Sequence, residues 1–104
     1  MPNKRELFPL TTKALGRPPT RADLFWTRNH LVQMTDGLNS GMSPYVYMHT
    51  LPEGLKLRYI VSDLNSLGSS LWPVRLTTNA RIGSARHVLK TLRSRLHTIL
   101  KDYP

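Results

Sequence analysis

Two neighbouring stretches, PYVYMHT at residues 44–50 and LKLRYIVS at residues 55–62, decide how the fold is read. Both are rich in aromatic and β-branched residues, which fit a pleated surface better than a helix. Within the second, Leu55, Leu57 and Tyr59 alternate with Lys56 and Arg58, the period of a strand with one solvated face. Between them lies LPEG, a Pro, a charge and a Gly, which predicts a hairpin. A third run at residues 71–78 (LWPVRLTT) predicts another strand, with Pro73 placing it at an edge or on a bulge. Turn-rich segments at 37–43 (GLNSGMS) and 63–70 (DLNSLGSS) separate these runs from their neighbours.

Helices are predicted on either side. Thr20 is a candidate N-cap with Asp23 in the capping-box position, and Leu24, Leu31 and Met34 share one face flanked by Phe25 and Val32. This spacing predicts a helix over 21–35, with Asp36-Gly37 as its stop. At the other end, Ala85, Val88, Leu89, Leu92, Leu96, Ile99 and Leu100 recur at helical spacing behind a Ser84 N-cap, predicting a helix over 85–101. The fold class expected is α+β: a three-stranded antiparallel sheet with an N-terminal helix and a long C-terminal helix packed on one face. An extended basic arm, residues 1–19, precedes a single α+β domain over 20–104. Pro2, Pro9, Pro18 and Pro19 interrupt any continuous helix there. An arm folded back over its own domain is the equal alternative.

The chain has 104 residues, 15 Lys and Arg against 6 acidic residues, a net charge of +9, and no cysteine. It has room for one core, with neither disulfides nor thiolate zinc sites to staple it. No apolar run approaches the ~20 residues of a membrane-spanning helix, so no membrane insertion is expected. Residues 1–21 hold one acid, Glu6, against five bases, a balance loosely like that of an organellar transit peptide.

The charge has a location. Arg86, Lys90, Arg93, His97 and Lys101 are spaced four, three, four and four apart, so they line one stripe of the last helix, and no acid occurs from Ser84 to Lys101. A solvated helix face usually mixes signs, because Glu–Lys pairs four apart gain about 0.2–0.5 kcal/mol and like charges lose a similar amount. Arg95 adds charge on another side of the helix. The arm contributes Lys4, Arg5, Lys13, Arg17 and Arg21, and the loop before the last helix contributes Arg81. These eleven residues are the candidate RNA-binding set, acting on phosphates through counterion release; the bland alternative is a solubilising face. Tyr45, Tyr47, Tyr59, Trp26 and Trp72 offer rings for base stacking, although aromatics at such positions are more often core.

Catalytic patterns are absent. The acids Glu6, Asp23, Asp36, Glu53, Asp63 and Asp102 form no pair suited to acid–base work, and His30, His49, His87 and His97 show no metal-ligand spacing. Neither an enzyme, nor a cofactor, nor a small-molecule substrate is expected.

The run Tyr45-Val46-Tyr47-Met48-His49-Thr50, followed after four residues by Leu55-Lys56-Leu57-Arg58-Tyr59, resembles the mitochondrial large-subunit ribosomal protein forty-nine family. Gly68, the run 72–78, and Gly83-Ser84 leading to Leu89 and Leu92 stand where that family has a loop glycine, a strand and a helix start. His49 stands for its usual arginine, Lys56-Leu57 for proline-valine, Ser84 for aspartate, and Asn79 for the strand arginine. The resemblance covers roughly residues 44–100. It implies a structural protein of the mitochondrial large subunit, in the matrix, bound to ribosomal RNA and neighbouring proteins. It also implies a sheet with helices on one face, like the translation initiation factor one group. The alternatives are a stand-alone double-stranded-RNA-binding or initiation-factor-like module, and an accessory subunit of a mitochondrial membrane complex.

Overall fold

The computed structural model describes residues 3–66 and 82–104. Six helices make up the described residues: α1 (Lys4–Leu7), α2 (Pro9–Leu15), α3 (Arg21–Asn39), α4 (Pro44–Thr50), α5 (Gly54–Ser66) and α6 (Ile82–Asp102). No strand occurs among them, and the expected α+β fold with a three-stranded sheet is corrected to an all-helical one. The third predicted strand, 71–78, lies outside the described residues.

The first predicted strand is α4. Ser43 caps it by accepting from the Tyr45 amide at 3.1 Å, and Pro44 occupies the first turn, where a missing N–H costs nothing. Pro44 and Met48, one turn apart, turn inward. The second predicted strand lies inside α5, where Leu57, Ile60, Val61 and Leu64 are buried at spacings of three, one and three. Leu55, which a strand would bury with Leu57, is 60% exposed. The helical period prevails because it continues past Ser62 to Leu64, where a strand would have ended. The expected hairpin turn is the sharp link between α4 and α5. A Cβ on Gly54 would stand 2.8 Å from the Met48 carbonyl carbon and closer still to its oxygen, so only glycine lets the two backbones approach.

The segment expected as an extended arm is helical and folded onto the domain. Leu7 and Phe8 are buried, and the Phe8 ring meets Tyr103 edge-on, with centroids 6.0 Å apart. Gly16, at φ +75, ends α2 in a left-handed turn.

α3 begins as expected, with the reciprocal Thr20–Asp23 capping box in place. It runs past Gly37 to Asn39, and Gly41 at φ +83 is the actual stop. The Gly41 amide donates to Leu38 O and the Met42 amide to Gly37 O, the paired closure that satisfies the last carbonyls of a helix. α6 follows its expected apolar stripe: Ala85, Val88, Leu89, Leu92, Leu96, Ile99 and Leu100 are all buried. α3 packs against α6 and α4, while α5 packs against α2, α4 and α6. Burying a leucine such as Leu89 or Leu96 contributes about 1.5–3 kcal/mol, so these seams dominate the stability of the fold. Guanidiniums close two helix ends: Arg95 donates to Leu64 O and Asn65 O at 2.7 and 3.0 Å, and Arg21 donates to Leu100 O and Tyr103 O at 2.6 and 2.7 Å.

Candidate nucleic-acid interface

α3 packs against α6, with Leu31 and Met34 buried in the same core as the leucines of α6, and this packing fixes what lies beside the seam on the surface. There an open groove of about 680 Å³ runs between the two helices. Arg86, Lys90, Arg93, Ser94, His97 and Thr98 line it from α6, and Arg28, Val32 and Thr35 line it from α3. From Arg86 to His97 the α6 wall is about 16 Å long, at a rise of about 1.5 Å per residue. Among the described residues no carboxylate lines it. Four permanent or near-permanent cations therefore face one volume without an internal counter-charge. Arg28 is set by its own helix: its guanidinium lies over the Phe25 ring at 4.9 Å, and Arg21 lies 5.2 Å from the same ring.

No family model, curated protein or solved structure matches the chain.

Of the residues expected to bind RNA, the structure brings Arg86, Lys90, Arg93 and His97 together in this groove. Lys101, on the same stripe, is exposed beyond it. Arg5 and Lys13 are exposed on α1 and α2, and the Lys4 ammonium sits 4.9 Å over the Tyr103 ring. Arg17 is paired with Asp23 at 2.9 Å and donates to Pro18 O, and Arg21 holds the end of α6. Arg81 lies outside the described residues. Arg28 escaped sequence reading. It belongs to α3, and only the packing of α3 on α6 carries it to the stripe some sixty residues later.

The aromatic residues serve mostly as packing. Lys56 lies 4.3 Å over Trp26, which meets His30 edge-on. The Tyr47 hydroxyl donates to Gln33 Oε1 at 2.7 Å and lies 2.6 Å from His30 Nδ1, so His30 donates through Nδ1 and Tyr47 accepts. Burial lowers the His30 pKa from 6.5, opposed by Glu53 and reinforced by Lys56, and burial raises that of Tyr47. Tyr45 is exposed and stacks parallel on His49, outside the groove. Trp72 lies outside the described residues.

Asp23 concentrates the remaining electrostatics. Burial alone would raise its pKa, but the Thr20 amide, Arg17 and Lys56 overcome that and hold it at about 2. Burial and the nearby Asp23 push Tyr103 up to about 12, and the Tyr103 hydroxyl donates to Pro19 O. Among the described residues no three His, Cys, Asp or Glu side chains group as a metal site, and no helix is long and apolar enough to cross a membrane.

Proposed function

We propose that the protein binds the phosphate backbone of RNA along the α3–α6 groove, as a structural component of a ribonucleoprotein and without a catalytic role. The observation that carries this is the gathering of Arg28, Arg86, Lys90 and Arg93, with His97, around one groove that no carboxylate of the described residues lines. Like charges three and four apart on a helix repel by a few tenths of a kcal/mol per pair. A polyanion laid along the groove turns that repulsion into attraction and gains the entropy of released counterions.

A salt titration tests it. With about four phosphates engaged, log affinity falls against log salt with a slope of about −3 on a single strand, from about −0.7 per phosphate. Labelled RNA followed by fluorescence anisotropy should therefore bind about fiftyfold more weakly at ~200 mM than at ~50 mM salt. The combined variant R86Q/K90Q/R93Q should lose most of that slope. An unchanged slope in the variant sinks the proposal.

A place in the mitochondrial large subunit is the narrower version of this reading. The sheet it implied is absent from the described residues, so the support left to it is the basic charge. Double-stranded-RNA-binding and initiation-factor-like modules lose their basis in the same way. Co-sedimentation of the tagged chain with large-subunit RNA on a density gradient tests the ribosomal address.

A further inference from the structure

We infer that the groove prefers RNA over DNA, and that the hydroxyls of Thr35 and Thr98 draw the distinction by accepting from the ribose 2′-hydroxyl. This rests on the groove holding a sugar–phosphate backbone. The cations that line it donate only, and phosphate oxygens accept only, so those contacts are the same for either nucleic acid. The distinction has to come from what else faces the groove. Among the described residues that line it, no Asn, Gln, Asp or Glu is present to read a base edge and the only ring is that of His97, so these residues read base identity weakly.

What remains is hydroxyls, Thr35 on the α3 wall and Ser94 and Thr98 on the α6 wall, and of these the two threonines have their protons fixed. The Thr35 hydroxyl donates to Leu31 O at 2.9 Å, and the Thr98 hydroxyl donates to Ser94 O at 3.1 Å. Each proton is committed to the carbonyl four residues back in its own helix, as threonine commonly arranges in helices. Each oxygen therefore shows the groove its lone pairs and no proton. A phosphodiester has no proton to give them, and neither does deoxyribose. The 2′-hydroxyl is a donor, present in RNA alone. Among the described residues no Phe, Tyr or Trp ring lines the groove to serve as an RNA-selective element instead.

The test uses the full chain with labelled oligonucleotides of one sequence: RNA, DNA, and RNA carrying 2′-O-methyl groups, which keep the ribose but lose its donor. RNA should bind about threefold to tenfold more tightly than the other two, the size of one net neutral hydrogen bond. T35V/T98V should bind RNA no better than DNA, with DNA affinity and salt slope unchanged, while T35S/T98S should keep the preference. Equal affinity for RNA and 2′-O-methyl RNA, or an undiminished preference in T35V/T98V, overturns the inference while the salt slope still upholds the groove. Failure to bind any of the three overturns both.

Discussion

Asp63 caps a helix to which Thr11, 52 residues earlier, belongs. Its carboxylate accepts from the Thr11 amide at 2.8 Å, the Thr11 hydroxyl at 2.7 Å and the Leu10 amide at 3.1 Å. These are first-turn groups of α2 with no partner inside their own helix, and Phe8 at the N-cap position supplies none. A buried acid on α5 thus replaces a local cap and fastens the N-terminal helices to the domain. Asp63→Ala should lower stability by roughly 2–4 kcal/mol, combining a lost cap with unsatisfied buried donors. Asp63→Asn, which keeps one acceptor, should cost less. Urea unfolding measures both. Hydrogen exchange should show residues 9–15 losing protection first in the alanine variant.

Asp23 predicts how the protein meets acid. Its folded pKa of about 2 lies below the ordinary 3.8, so its contribution is complete above pH 3.8 and is lost as pH falls towards 2. The shift corresponds to roughly 2 kcal/mol at neutral pH. Asp23→Asn should therefore be less stable than the parent at pH 7 and approach it near pH 2. Parallel unfolding curves across that range would contradict the assignment.

Gly54→Ala should be among the most damaging single changes. The added methyl meets the backbone carbonyl of Met48, which has no rotamer with which to yield. The α4–α5 link must shift or open, at a cost of about 3 kcal/mol or more. Thermal melts of Gly54→Ala and of Gly41→Ala give the comparison. At Gly41 a Cβ meets nothing and only the positive φ resists, so the loss should be smaller.

The outer helices were legible in the sequence, and the middle was not. α6 carries seven apolar positions in one phase, and the Thr20–Asp23 pair is a local signal that needs no tertiary partner. In α4, Tyr45, Val46, Tyr47 and Thr50 individually favour strands, and seven residues are too few to show a helical period. What makes it helical is tertiary: Met48 enters the core and Tyr47 reaches α3. In α5 the alternation of residues 55–59 matched a strand, whereas the decisive spacing ran from Leu57 to Leu64. The groove was half legible for the same reason. A stripe on one helix can be counted, but Arg28 joins it only through helix packing.

His30 gives a second pH dependence, in a window nearer neutrality. Burial keeps its folded pKa below 6.5, so as pH falls through 6.5 the unfolded chain takes up the proton first and stability declines. The decline ends once the folded histidine also protonates. His30→Gln should remove this component, leaving stability flatter just below pH 6.5. A parent curve with no drop in that window would contradict the burial argument. The Nδ1–H donated to Tyr47 also fixes the tautomer, which nitrogen chemical shifts read directly.

Arg21 and Arg86 separate charge that holds the fold from charge that holds a ligand. Both are exposed arginines, and sequence alone gives them the same role. Arg21 donates to Leu100 O and Tyr103 O, two carbonyls at the end of α6 that otherwise lack helical donors. Arg21→Gln should lower stability by about 1–3 kcal/mol and leave the salt slope of RNA binding unchanged. Arg86 lines the groove four residues from Lys90, so Arg86→Gln relieves a repulsion of a few tenths of a kcal/mol and should leave stability level or slightly raised. Its RNA slope should flatten by about 0.7, one phosphate contact on a single strand. Measuring unfolding and salt-dependent binding on both variants gives a crossed result if the assignments hold. Should Arg21→Gln flatten the slope and Arg86→Gln leave it intact, the interface lies around the start of α3 and not along the α3–α6 groove.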